Sequence, residues 1–239
     1  MPLQRLPQAT HDLLGLDLTA DQQAAFERYA ADLTQWNEQR ANLTAITDPL
    51  AVEIRHFLDS LTVLKVAPLT AGQKVIDVGT GAGFPGIPLR IVAPGIRLTL
   101  LEATGKKTQF LEHVCAESKL TNVSIVNARA EEAGQDPAHR EQYDVVVARS
   151  VAHMPILMEY LLPLCKIGGL CIAMKGESAA EEVHTAENAI RLLGGRFTQI
   201  TPVELPHVAE THYLVSVAKT AATPGRYPRK PGLPSKNPL

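Results

Sequence analysis

The sequence predicts an α/β fold: a mostly parallel sheet with a terminal antiparallel strand, preceded by a helical N-terminal extension. Three observations predict it. From residue 74 onward, short apolar runs alternate with helical patterns, as in successive βαβ units. The first of these runs, Val75-Ile76-Asp77-Val78, ends on Gly79-Thr80-Gly81-Ala82-Gly83, a bare turn that leads into a helix. The last two runs stand close together with no helix between them, so they pair antiparallel.

Each element has its own signal. Residues 19 to 39 open with Thr19-Ala20-Asp21-Gln22, a capping-box pattern, and carry Phe26, Tyr29, Leu33 and Trp36 at helical spacing. A polar turn from Asn42-Leu43-Thr44 to Asp48-Pro49 leads to a second helix, with Ile54, Phe57, Leu58, Leu61 and Leu64 on one face. Strands follow at about 74 to 78, 97 to 102, 122 to 127, 143 to 148 and 168 to 174. Helices fall at about 86 to 93, 104 to 119, 153 to 165 and 178 to 194, and the closing strands at about 196 to 202 and 211 to 218. The organisation expected is a helical extension over 1–70, a cofactor-binding domain over 71–219 and a tail over 220–239. The tail holds five prolines and no acid, with Arg226, Arg229, Lys230 and Lys236. It is expected to be extended or disordered when free, and to serve as an arm that contacts a polyanion.

Composition excludes several classes. With 239 residues, 45% hydrophobic and 20% charged, the chain is an ordinary globular protein, and its net charge of −2 gives no overall nucleic-acid signal. Any polyanion site must be local. Cys115, Cys165 and Cys171 lack metal-ligand spacing and read as reduced thiols, and the histidines show no HExxH pairing, so no metal is expected. Neither a secretory leader nor an apolar run of membrane-spanning length is seen, which leads to the expectation of a cytoplasmic protein away from membranes.

The glycine turn admits two cofactors. Gly81-x-Gly83-x-x-Gly86 satisfies the dinucleotide fingerprint, but Asp77 and Gly79 ahead of it complete an acid-x-Gly-x-Gly-x-Gly arrangement. That arrangement suits S-adenosylmethionine, which has no pyrophosphate to seat on a helix and carries a sulfonium and an ammonium. Glu102 closes the next strand, where a carboxylate can accept both ribose hydroxyls of either cofactor. The terminal hairpin favours a Rossmann-like methyltransferase over a dehydrogenase, which would continue with further βαβ units.

Longer stretches then resemble one family. They are Trp36-Asn37 with Asn42-Leu43-Thr44-Ala45-Ile46, Arg55-His56-Phe57-Leu58-Asp59-Ser60-Leu61, the loop from Asp77 through Phe84 to Pro88, Lys106-Lys107-x-x-Phe110-Leu111, Ala128-Arg129-Ala130-Glu131, Ala148-Arg149, Lys175-Gly176 and the Tyr227 to Leu239 ending. Over residues 20 to 239 the chain resembles the GidB-type methyltransferases that modify N7 of a guanine in 16S ribosomal RNA. The resemblance implies a Rossmann-like S-adenosylmethionine-dependent methyltransferase fold, with 16S rRNA or the small ribosomal subunit as partner. It carries the cofactor site onto Gly79, Gly81, Gly83 and Phe84 of the loop, onto Glu102, Ala103 and Thr104, onto Ala130 and Glu131, and onto Arg149. Glu102 stands where many members carry aspartate.

The chemistry implied needs no general base. Guanine N7 is a lone pair without a proton, so an in-line displacement leaves nothing to remove, and catalysis becomes a matter of positioning. Arg149 and Arg129 are the expected positioning residues. Arg149 can serve cofactor, base or phosphate. His56 and Asp59, three apart on a helix, are expected either to contact RNA or to form a hydrogen bond on the helix surface. Two rivals remain at this point: a methyltransferase of small molecules, and a nucleotide-sensing module without turnover.

Overall fold

The computed structural model describes residues 2–40 and 42–239, and everything before the first strand is helix or connecting turn. Within the expected helical extension, helix α1 (Leu6–Leu14) has no capping signal of its own in the sequence, and its cap lies far along the chain. Its first amides are capped by Glu53, whose buried carboxylate accepts from the backbone N–H groups of Gln4, Arg5 and Leu6 at 2.7 to 3.2 Å. Helix α2 (Ala20–Gln39) has the expected capping box: Thr19 Oγ1 accepts from Gln22 N–H at 3.3 Å, and Gln22 Oε1 accepts from Thr19 N–H at 2.9 Å. Asp48 caps α3 (Pro49–Val52). The chain then widens into a π-helical turn over Glu53–Leu58, returns to α4 (Asp59–Leu61) and tightens to a 3₁₀ turn over Thr62–Lys65. A regular second helix was expected here; π turns inside helices cluster at functional sites, and this one carries Arg55 and His56.

The rest alternates as the sequence predicts. In order come β1 (Lys74–Val78), α5 (Gly86–Val92), β2 (Arg97–Glu102), α6 (Gly105–Glu117), β3 (Val123–Asn127), α7 (Ala130–Ala133) and β4 (Tyr143–Arg149). They are followed by α8 (Met154–Leu161), β5 (Cys165–Lys175), α9 (Ala179–Leu192), β6 (Gly195–Val203), β7 (His212–Lys219) and α10 (Leu233–Lys236). Helix α8 ends earlier than the expected 165, because Pro163 follows and cannot continue a helix. The seven strands form one sheet in the order β3-β2-β1-β4-β5-β7-β6. Only β7 is reversed: it runs antiparallel to both β5 and β6, wedged between them.

Side chains alternate across this sheet with the period of two that a strand imposes. Val75, Leu98, Leu100 and Val147 point to one face, where they share a core with Ile87 of α5, Phe110 and Leu111 of α6, and Phe26, Tyr29, Leu33 and Phe57 of the extension. Ile76, Val78, Leu101 and Val146 point to the other, under Leu157, Leu161, Val183 and Ile190 of α8 and α9. The extension thus packs on α5 and α6 and completes the helical covering of that face. Among the described residues, no helix is long and apolar enough to cross a membrane.

The C-terminal segment differs from the extended arm expected of its composition. Arg229 pairs with Glu159, a fully buried carboxylate, at 2.6 Å, and its own backbone N–H donates to the same group at 2.8 Å. Arg140 donates to the carbonyls of Thr223 and Tyr227, both at 2.7 Å, and Lys219 sits wholly buried against the Leu162 carbonyl and Thr223. The segment lacks apolar residues of its own to build a core, yet the body of the protein supplies charged partners for its backbone. Arg226, Lys230 and Lys236 remain exposed.

Candidate active site

Because β1 to β4 run parallel, their carboxyl ends meet along one edge, the place where doubly wound sheets bind ligands. The glycine loop leaves β1 there, tied to β2 by the Gly79 N–H, which donates to the Leu101 carbonyl at 2.8 Å. Gly79 and Gly81 both adopt left-handed φ, +67° and +62°. Their surroundings differ. A Cβ on Gly79 would lie 2.8 Å from a methyl of Val151, and one on Gly83 would lie 2.5 Å from Ile87, so both pack against protein. A Cβ on Gly81 would meet nothing nearer than the Gly79 carbonyl at 4.0 Å, so this residue keeps the cradle open.

Acidic groups line the base of the loop. Asp77 is fully buried; its Oδ2 accepts from the Thr80 hydroxyl at 2.6 Å and the Gly86 N–H at 2.8 Å, while Oδ1 has no partner. Burial pushes its pKa up to about 6, against those two hydrogen bonds. Glu102 accepts from the Gly81 N–H at 3.0 Å and the Thr104 N–H at 2.8 Å, and a carboxylate so held has lone pairs left for hydroxyl donors. An open cradle, an orphaned buried acceptor and a fixed carboxylate fit a cofactor bearing a cationic centre and a ribose.

A cavity of about 350 Å³ opens between the loop and the extension. Phe84 forms its floor, stacked on Tyr29 with centroids 5.3 Å apart and on His56 at 4.5 Å. The Arg149 guanidinium lies over the same ring, 5.0 Å from its centroid. Its Nη1 donates to Asp59 Oδ2 at 2.8 Å and to the Arg55 carbonyl at 2.9 Å, and its Nη2 donates to His56 Nδ1 at 3.2 Å. The remaining His56 nitrogen then carries the proton and donates to Thr44 Oγ1 at 2.8 Å. Burial, with Arg149 acting in the same direction, lowers the His56 pKa to about 4, so this ring is neutral near pH 7. Asp59 Oδ1 accepts from His212 Nδ1 at 2.8 Å, and His212 borders both this cavity and a neighbouring one of about 180 Å³. A larger apolar groove, about 770 Å³ and walled by Leu13, Leu64 and Ile96, lies at the opposite end of the strands and offers few polar groups.

The cavity gathers Gly79, Gly81, Phe84 and Arg149 of the expected residues. Glu102, Ala103 and Thr104 stand at the end of β2, and Ala130 and Glu131 open α7 after β3, along the same edge but not on the cavity wall. Glu131, nearly buried, accepts from the Gly232 N–H of the C-terminal segment at 3.0 Å and pairs with Arg129 at 3.4 Å. Arg129 itself is half exposed beyond the wall, while Lys107 reaches the wall from α6.

The family model for rRNA small subunit methyltransferase G matches residues 22–209. The chain belongs to that family. It is 49% identical over 228 residues to ribosomal RNA small subunit methyltransferase G of Roseiflexus castenholzii, covering 94% of this chain and 95% of the relative. The protein of the same description from Alkaliphilus oremlandii is 47% identical over 226 residues, covering 95% and 94%. Among solved structures, the [4+2]-cyclase SpnF superposes with a TM-score of 0.59 over 84% of this chain and 97% of its own, at 13% identity. That likeness is one of fold, and a fold hosts many chemistries. As a member of the methyltransferase G family, the chain is an S-adenosylmethionine-dependent methyltransferase.

Within the family site, sequence reasoning missed how three residues act. His56, in the π turn, and Asp59, directly after it, are buried in the cavity wall rather than set on a helix surface. His212 carried no local signal at all. It reaches Asp59 from 153 positions away.

Proposed function

We propose that this protein transfers the methyl group of S-adenosylmethionine to N7 of a guanine in the 16S rRNA of the small ribosomal subunit. One observation supports this reading beyond family membership: of the bases lining the cavity beside the glycine loop, two are tied up by neighbours, and His212, whose Nε2 is open, is held toward its protonated form by the hydrogen bond to Asp59. Its one carboxylate among the lining residues, Asp59, is engaged by Arg149 and His212, and neutral His56 is engaged on both nitrogens. Such a wall suits an acceptor atom without a proton.

When bound, the cofactor supplies a methyl on a sulfonium, and the N7 lone pair displaces it as the thioether leaves. Gly81 would give it room, Glu102 would accept from the ribose hydroxyls, and the unpartnered Asp77 carboxylate oxygen would favour its positive charge. Ala103, Thr104, Ala130 and Glu131 complete the edge, with Gly79 and Gly83 shaping the loop and Phe84 flooring it. Arg149 and Arg129 position the acceptor. Lys106, Lys107 and the exposed Arg226, Lys230 and Lys236 meet the RNA phosphates, which gives the tail a binding role while it stays docked. The extension (1–70), cofactor domain (71–219) and tail (220–239) act together, and the substrate places the enzyme in the cytoplasm.

Labelled methyl from S-adenosylmethionine should pass to small subunits purified from a strain lacking this protein. Transfer should stop when 7-deazaguanine replaces the target guanine in a reconstituted particle, since that base lacks only the nucleophile. Continued methylation of the deaza particle would move the reaction to another atom.

A further inference from the structure

His212 opens β7 with its ring on the border of both cavities, 28% exposed. Asp59 Oδ1, 2.8 Å from Nδ1, keeps a proton on that nitrogen and fixes the ring plane. Nε2 makes no hydrogen bond among the described residues. Its polar neighbours are engaged: Arg149 by Asp59 and the Arg55 carbonyl, and Lys175 by Glu182 and the Ala152 carbonyl, both at 2.6 Å. Ser150, beside Arg149, lines both cavities and holds a left-handed φ of +57°. A histidine paired with an aspartate is the usual form of a proton acceptor, yet N7 transfer has no proton to give up. The pair must serve another purpose.

Resting on the N7 reading, we propose that His212 selects the base: its Nε2–H donates to O6 of the target guanine and so turns N7 toward the methyl donor. O6 and N7 are adjacent acceptors on one edge of guanine, whereas adenine presents an amine in place of O6. A donor at that point both orients guanine and rejects adenine. Since Asp59 holds the Nδ1 proton, Nε2 donates only from the imidazolium. Asp59 raises the His212 pKa, against burial, Arg149 and Arg55; Lys107 and Lys175 also border the opening, with neutral His56 behind Arg149. The donor is present below that raised pKa and lost as pH rises through it.

The test uses the full-length protein and small subunits reconstituted with guanine or 2-aminopurine, which lacks O6 but keeps N7, at the target position. The wild type should lose about 10- to 100-fold in kcat/KM on 2-aminopurine, the range of one charge-assisted hydrogen bond. His212→Phe should lose a similar factor on guanine, lose nothing further on 2-aminopurine, and bind S-adenosylhomocysteine within twofold of the wild type. His212→Gln, the milder change should the Phe variant fail to fold, should lose the alkaline limb of the pH–rate profile. Equal wild-type rates on both bases, or losses from residue and base that multiply, would overturn the role of His212. The 7-deazaguanine particle keeps the two questions apart: if it stops transfer while His212→Phe works normally, the N7 reading stands and this inference alone fails.

Discussion

Asp59 and Arg149, 90 residues apart, meet at 2.8 Å and join the helical extension to the end of β4. The guanidinium spans from there to the Phe84 ring and the His56 nitrogen, so one ion pair aligns the extension, the glycine loop and the cavity. Both partners are shielded, with side chains 5% and 13% exposed. Removing Arg149 should leave buried Asp59 with His212 as its one remaining side-chain partner, so Arg149→Met is expected to cost about 3 kcal/mol of stability and to abolish methyl transfer. Asp59→Asn added to it should recover part of the stability but none of the activity. Urea unfolding and labelled-methyl transfer check the two parts separately.

The glycines of the loop should separate by phenotype. Gly81→Val places a branched side chain in the open cradle and is expected to weaken S-adenosylhomocysteine binding at least tenfold. Gly79→Ala, by contrast, drives a methyl against Val151 at a left-handed φ, so the first loss should be about 1–3 kcal/mol of stability. Calorimetric titration beside thermal unfolding distinguishes them; equal affinity of Gly81→Val and the wild type would remove that residue from the cradle.

Asp77 and His56 should impose opposite pH slopes in one window. The Asp77 pKa is raised from 3.8 to about 6, so its contribution is present at low pH and is lost as pH rises through 6, on the order of 3 kcal/mol. The His56 pKa is lowered from 6.5 to about 4, so its contribution is present above 6.5 and lost as pH falls through 4, again on the order of 3 kcal/mol. The two offset each other in the wild type. Between pH 4 and 6.5, Asp77→Asn should therefore gain stability with rising pH relative to the wild type, and His56→Gln should lose it. Parallel urea titrations across that range read both signs.

Arg229→Gln should free the C-terminal segment. The variant strands Glu159, which is fully buried, and is expected to cost about 3 kcal/mol and to expose residues near Tyr227 to limited proteolysis. Because Gly232 also donates to Glu131, cofactor affinity should fall with it. A protease-resistant tail in this variant would show that the ion pair does not hold it.

Local patterns in the sequence determined the order of strands and helices, the capping box of α2, the glycine loop and the reversed strand beside the end of the sheet. These depend on side-chain period, turn chemistry and neighbours within a few positions, all readable along the chain. The resemblance carried by Arg55 to Leu61 and by the loop pointed to the family that the close relatives then established. Only the tertiary structure decided that α1 is capped, since its cap is Glu53; that the tail is docked, since its partners are Arg140 and Glu159; and that Asp59 joins Arg149 to His212. Each of these is a charged side chain finding polar partners far along the chain. The free energy of such a pair depends on three-dimensional distance and on exclusion of water, and neither quantity is written in the spacing of residues along a chain.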